Sequence, residues 1–104
     1  MKARAVAVFL LLAAWLSAAG AQALTERQLL GQRLFNQSCR VCHIKPQLTS
    51  AQYAPVLSRT SLGGNDDALR AFIANGSPQK MPGFRYHFTA AEIDAIVAYL
   101  KASP

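Results

Sequence analysis

Two cysteines and a histidine stand in one short stretch of the chain, Cys39-Arg40-Val41-Cys42-His43. These are the only two cysteines, and the second is followed at once by one of the two histidines. Three chemistries use such residues at such a spacing: a redox-active dithiol, part of a zinc site, and the covalent attachment of haem. The choice among them depends on the compartment of the protein and on the other residues that could complete the site.

The N-terminal segment has the pattern of a secretory signal peptide. A short basic start is followed by an uncharged apolar run over residues 5–16, and residues 21–23 read Ala-Gln-Ala, which suits signal peptidase. The apolar run is shorter than the ~20 residues that a membrane-spanning helix needs. We therefore expect residues 1–23 to be cleaved and residues 24–104 to form one mature domain in a bacterial periplasm, with no stable membrane span.

The mature segment is small for an independent domain. It has 81 residues, and the loss of Lys2 and Arg4 lowers the formal net charge from +6 to +4. A chain of this length buries little apolar surface and is commonly stabilised by a disulfide, a metal or a cofactor. The size of the domain thus favours a stabilising group at residues 39–43.

The mature segment is predicted to be all-α, with long loops between its helices. Three helices are expected to begin after the capping residues Thr25, Asn65 and Thr89. The first extends to about residue 37, and the second covers roughly residues 66–75. No stretch shows the alternation of apolar and polar residues that is typical of a strand.

Apolar residues at helical spacing predict which helix faces are buried. The last helix has the clearest pattern, with apolar residues at i, i+3, i+4 and i+7. These residues are Ile93, Ile96, Val97 and Leu100. In the middle helix, Leu69, Phe72 and Ile73 are expected to face the core.

Zinc and dithiol chemistry each leave part of the motif unexplained. A tetrahedral zinc site needs four ligands, usually from two spaced pairs, and the only available residues are Cys39, Cys42, His43 and His87. A redox dithiol follows a strand and opens a helix in an α/β fold, whereas this motif follows a predicted helix. A plain disulfide gives no role to His43.

Covalent haem attachment uses all three residues of the motif. Two cysteines three positions apart lie on one side of a helical turn, so each sulfur can add to one vinyl group of the porphyrin. The next residue then directs its imidazole to the iron from the same side. C-x-x-C-H is the c-type haem signature, and an exported chain is where such attachment takes place. We expect one haem c, bound through Cys39 and Cys42, with His43 as an axial ligand.

On these residues the chain resembles the class I monohaem cytochromes c, over nearly all of residues 25–102. The resemblance implies a small cytochrome c fold, in which three to four short helices wrap around one covalently bound haem. It also implies a methionine from a downstream loop as the second axial ligand, and Met81 occupies that place. The stretch at residues 54–57 resembles a family segment in which a proline carbonyl, here that of Pro55, accepts a hydrogen bond from the proximal histidine.

The resemblance extends to the helix packing. Gly31 and Phe35 resemble the glycine and the aromatic residue of the family's first helix, which crosses the last helix near an aromatic residue such as Tyr99. A glycine inside a helix costs ~1 kcal/mol relative to alanine, and a close helix crossing gives that cost a reason.

The sixth ligand of the iron has two candidates. Met81 is the only methionine of the mature segment, and the following Pro82 biases it toward an extended loop conformation. His87 is the other histidine of the chain and would give a bis-histidine iron. Its position just ahead of the Thr89 cap favours an imidazole that points to solvent or to the end of the last helix. Met81 is the preferred ligand, because its loop is stiffened by prolines and the resemblance implies a methionine there.

These assignments predict a one-electron carrier and not an enzyme, because two filled axial positions leave no site for a substrate. Two alternatives stay open: a haem enzyme or sensor with an open sixth site, and the haem subunit of a larger dehydrogenase complex.

Expected partners are periplasmic or membrane redox proteins with acidic docking surfaces, and no nucleic acid. The basic residues next to the haem motifs are Arg40, Lys45, Lys80 and Arg85. Candidate contacts of the haem propionates are Tyr53, Asn65, Arg85 and Tyr86.

Overall fold

The computed structural model describes residues 23–43 and 53–104. Residues 1–22 of the predicted signal peptide and Lys45 lie outside the described residues, so the cleavage after residue 23 stays a prediction. The helices are α1 (Glu26–Ser38), α2 (Arg40–His43), α3 (Asp66–Asn75) and α4 (Ala90–Ala102), with a short 3₁₀ turn at Ser61–Gly64. These two ranges contain no β-strand, which confirms the all-α prediction.

The predicted capping residues begin the three longer helices. In α1 the Thr25 hydroxyl accepts from the Gln28 backbone N–H at 3.2 Å, and the Gln28 side chain accepts from the Thr25 N–H at 2.9 Å. Thr89 and Glu92 make the same reciprocal pair at the start of α4. Asn65 caps α3 through its side-chain oxygen. Each cap satisfies N–H groups that the first turn of a helix leaves without an internal partner.

Helices α1 and α4 cross at Gly31. A Cβ atom at this position would overlap the backbone oxygen of Ala95 and lie 2.9 Å from the Cβ of Tyr99. One turn later the rings of Phe35 and Tyr99 are in contact, with centroids 5.5 Å apart. The close crossing that the resemblance implied is therefore present, and it requires glycine for lack of space.

The core lies between α1, α3 and α4. Its buried apolar side chains are Phe35, Leu69, Ile73, Phe88, Ile93, Ile96, Val97 and Leu100. The prediction that Phe72 is buried with them is wrong, since this residue is 42% exposed. Phe72 lines the wall of a cavity. Phe72 lies on the apolar stripe of α3 because this face of the helix forms part of the cavity wall.

Ion pairs on the outer faces join the three longer helices. The Asp94 carboxylate of α4 accepts from Arg70 of α3 at 2.5 Å and lies 3.7 Å from the guanidinium of Arg27 in α1. The hydrogen bond to Asp94 raises the pKa of Arg70 above its ordinary value. Partly exposed pairs of this kind contribute little to stability. Within residues 23–43 and 53–104, none of the helices has the length and apolar character needed to cross a membrane.

Candidate functional site

The cysteine–histidine motif forms one helical turn directly after α1. The Cys39 N–H donates to the Phe35 carbonyl at 2.9 Å, which makes Cys39 the last residue of the α1 hydrogen-bond ladder. The N–H groups of Cys42 and His43 then donate to the Cys39 carbonyl at 3.2 and 3.0 Å. This turn is α2, and it brings both free thiols and the imidazole to the wall of one cavity.

The cavity has a volume of about 680 Å³. This size lies within the range of roughly 300–1,000 Å³ that is usual for cofactor and small-molecule sites. The apolar side chains of its wall include Leu57, Leu62, Leu69, Phe72, Ile73, Phe84 and Leu100. No carboxylate is among the described residues that line it. An apolar wall with two thiols and an imidazole suits a large flat hydrophobic group.

The His43 ring is oriented by the backbone of Pro55. His43 Nδ1 lies 2.6 Å from the Pro55 carbonyl oxygen. A carbonyl can only accept, so Nδ1 carries the proton and donates it in this bond. Nε2 is then the unprotonated nitrogen, with a lone pair for a metal, and the bond raises its basicity. The contact between Pro55 and His43 that the resemblance implied is present. The role of Pro55 toward a haem stays a prediction.

Met81 lies on the same cavity as His43. It is half-buried and closes a tight turn, in which the Ser77 N–H donates to the Met81 carbonyl at 2.9 Å and the Met81 N–H donates to the Ser77 carbonyl at 3.0 Å. His87 is exposed and is not part of the cavity wall. Its ring packs against Phe88, with centroids 4.6 Å apart. Iron ligation by Met81 stays a prediction, but Met81, and not His87, lines the same cavity as His43.

The thiol environment differs from that of a redox dithiol. Burial raises the pKa of the Cys39 thiol to about 11, and the neighbouring Cys42 contributes to the rise by charge repulsion. Reactive dithiols instead have a lowered pKa, because the thiolate is the nucleophile. In the described part of the chain, moreover, no group of three or more His, Cys, Asp or Glu side chains is placed to hold a metal ion.

Of the four propionate candidates, one lines the cavity. Tyr53 is part of the wall and is 73% exposed. Asn65 caps α3, the Arg85 guanidinium donates to the Asn75 side chain, and Tyr86 projects from the surface with 95% exposure. The contact of Tyr53 with a propionate stays untested.

Several wall residues were missed by the sequence reasoning. Ser61 and Leu62 come from the irregular segment before α3, which has no periodicity to indicate an inward face. Leu62 has a positive φ of 50°, which is unusual for a residue other than glycine. A composition rich in loop-forming residues could not have indicated this conformation.

The chain is similar to known proteins over all the described residues of this site. The family model for cytochrome c oxidase, cbb3-type, subunit III, matches residues 26–100, a range that includes every wall residue of the cavity. A solved structure described as a mutant of Kustc0563 has a TM-score of 0.52 and 25% sequence identity, covering 68% of this chain and 94% of that chain. None of the curated proteins matches the chain.

Proposed function

The chain belongs to the family of c-type cytochrome domains, and on that premise we propose that it is a periplasmic one-electron carrier with a single haem c. Membership of this family implies covalently bound haem c and a role in haem-based electron transfer. We assign the thioether bonds to Cys39 and Cys42 and the axial ligands to His43 and Met81. The observation that carries the proposal is that all four side chains line one cavity.

The residues of the cavity fit the group that the family implies. When bound, the haem supplies an iron that accepts and releases one electron. The thiols of Cys39 and Cys42 would hold the porphyrin, and the Pro55 carbonyl keeps the His43 ring in one tautomer. The apolar wall excludes water and so disfavours the more highly charged ferric state. His/Met ligation raises the reduction potential in the same direction.

The proposal gives the chain no catalytic site of its own. If His43 and Met81 fill both axial positions, no coordination site is left for oxygen or a substrate. A haem enzyme or sensor would instead need an open sixth position and would show a high-spin spectrum. Met81 on the cavity wall supports the closed form.

A second candidate function is that of a haem subunit in a larger redox complex. The matching family model is named for a subunit of cytochrome c oxidase, which supports this alternative. Exposed apolar residues at the cavity also suit a stable contact, since Val41 is 80% exposed and Leu62 is 50% exposed. Co-purification of the chain with a catalytic partner would favour the subunit, whereas recovery of a free monomer would favour the carrier.

The charges around the cavity support an acidic partner. Lys80 is exposed on the wall, and Arg40 is exposed within α2. Among the described acidic residues, Asp66, Asp67 and Asp94 pair with basic residues on the outer helix faces. The cavity therefore opens beside positive charge, and no carboxylate is among the described residues of its wall. An acidic surface on a redox protein would be attracted to it.

The pyridine haemochrome spectrum of the purified chain tests the proposal. The chain should be produced with its N-terminal segment in a host that attaches haem c. A c-type band equivalent to one haem per chain is the expected result, and it should be lost in the Cys39→Ser/Cys42→Ser protein. A wild-type protein without covalent haem would contradict the proposal.

A further inference from the structure

We infer that a hydrogen bond between Asn75 and Arg85 sets the position of Met81, which makes these two residues positioning residues for the sixth ligand. The inference rests on the proposed function, because it assumes that the Met81 sulfur binds the iron. Arg85 donates from Nη2 to the Asn75 side-chain oxygen at 2.5 Å. Asn75 is the last residue of α3, so this bond joins the two ends of residues 76–84, the Met81 loop.

Backbone hydrogen bonds return the Met81 loop to the end of α3. The Phe84 N–H donates to the Ile73 carbonyl at 2.9 Å, and the Arg85 N–H donates to the Ala74 carbonyl at 3.1 Å. Carbonyls in the last turn of a helix have no partner within that helix and need one from elsewhere. The loop supplies these partners, so its base is attached to the helix at two successive residues.

Two glycines let the base of the loop lie directly on backbone. A Cβ atom at Gly83 would lie 2.7 Å from the Ala74 oxygen and 2.8 Å from the Asn75 oxygen. Gly76 has a φ of +68°, and a Cβ there would overlap the Met81 oxygen and lie 2.6 Å from the Gly83 nitrogen. Because the backbones are in contact, there is no empty space between them. A displacement at the Asn75–Arg85 end of the loop therefore displaces the rest of the loop as well.

The tip of the Met81 loop is held in a conformation that it would not adopt alone. Gln79 has a φ of +62°, a left-handed conformation that residues with a side chain disfavour. Such conformations persist only where the surrounding structure holds them. The methionine side chain is flexible and cannot fix its own direction. The position of the Met81 sulfur therefore depends on how firmly the base of the loop is held.

Arg85 acts on the iron site only through the loop. It is exposed, it is not among the residues that line the cavity, and its guanidinium is bonded to Asn75. When the guanidinium is removed, the end of the loop loses its side-chain bond to α3 and keeps only its two backbone bonds, while the cavity wall keeps its composition. The expected result is weaker ligation by Met81 with the haem still attached.

Arg85→Met and Asn75→Ala test this inference in the haem-loaded protein. The readout is the near-infrared band of ferric sulfur ligation, followed as the pH is raised until the band is lost. We expect the midpoint, the pH at which half of the band is lost, to fall by about one unit in each variant. This is a tenfold shift toward the methionine-free iron, and it corresponds to the loss of one hydrogen bond to a charged group. The double variant should behave like either single one, and Asn75→Asp, which keeps the acceptor, should retain the wild-type midpoint.

Arg33→Met is the matched control, since it removes the same charge from an exposed position in α1. Its midpoint should equal that of the wild type. Equal midpoints for Arg85→Met and Arg33→Met would overturn the inference, even if Arg85→Met unfolds at a lower temperature. A wild-type protein that lacks the band, or keeps it in Met81→Ala, would show instead that the proposed ligand is wrong, and the inference would fail with it.

Discussion

The Nδ1 atom of His43 and the backbone oxygen of Pro55 lie 2.6 Å apart, although the two residues are twelve positions apart in the chain. The bond ties the one-turn helix α2 to the loop on another side of the cavity. Its acceptor is a main-chain atom. The proline side chain therefore acts only by fixing the φ of Pro55 at about −65°, which helps to set the direction of the carbonyl. The orientation of the imidazole is a property of the loop backbone.

Pro55→Gly should weaken this bond. A glycine lets the carbonyl turn away, and His43 then becomes a less basic ligand that stabilises ferric iron less. We expect a higher reduction potential. We also expect that acid displaces His43 from the ferric iron about tenfold more easily, as is usual when a hydrogen-bond partner of a metal ligand is lost. Redox titration and an acid titration of the visible spectrum measure both effects.

Val56→Ala is the control for Pro55→Gly, because Val56 is the next residue, is 40% exposed and is not part of the cavity wall. It should leave the potential and the acid transition unchanged. Equal effects of the two substitutions would mean that general loosening of the loop, and not the acceptor, is responsible.

Haem-free protein should be largely unfolded. The Cys39→Ala/Cys42→Ala variant, made without haem, would have to maintain a cavity of about 680 Å³ inside a domain with few buried side chains. A small domain buries too little apolar surface to tolerate such a gap. Far-ultraviolet circular dichroism should show little helix. A cooperative helical melt would demonstrate that the core is stable without the group.

Gly31→Ala should destabilise the haem-loaded protein. Alanine is the better helix former by about 1 kcal/mol, but its Cβ would overlap the Ala95 carbonyl, and overpacking typically costs about 1–3 kcal/mol or more. The overlap involves backbone, which cannot adopt another rotamer, so the net free energy of unfolding should fall. Guanidinium unfolding measures it, with Gln37→Ala at an exposed position of α1 as the control. A stability equal to that of the control would show that the helices can separate at no cost.

Electron transfer with charged reagents should reveal the sign of the cavity surface. Reduction by an anionic metal complex should slow as salt rises, since charges are screened beyond about 10 Å at 0.1 M ionic strength. Reduction by a cationic complex should accelerate. Lys80→Glu should diminish both effects, while Arg33→Glu, which makes the same charge change away from the cavity, should have less influence. Rates for both reagents that do not vary with salt would point to apolar docking.

The parts of the fold that depend on local sequence were predictable. Thr25, Asn65 and Thr89 begin their helices because a cap acts within three or four residues of itself. The same is true of α2, since one turn is sufficient to bring Cys39, Cys42 and His43 to one wall. Rules that use only neighbouring residues were therefore sufficient to predict where most residues of the candidate site lie.

The parts that depend on long-range packing were not predictable. An apolar stripe on α3 cannot distinguish a helix interface from a cavity wall, which is why Phe72 was assigned to the core. The Asn75–Arg85 bond arises only after the Met81 loop has returned to α3. Two polar residues ten positions apart in a loop-rich stretch carry no signal of that return.

Ligation by Met81 is the central claim, and the near-infrared spectrum of the ferric protein tests it most directly. His87 provides the matched comparison, because it lies six residues further along the chain and its ring packs against Phe88 outside the cavity. Met81→Ala should abolish the weak band of ferric sulfur ligation and lower the reduction potential, whereas His87→Ala should leave both nearly unchanged. A band that survives in Met81→Ala, or a spectrum and potential that change only in His87→Ala, would contradict the account.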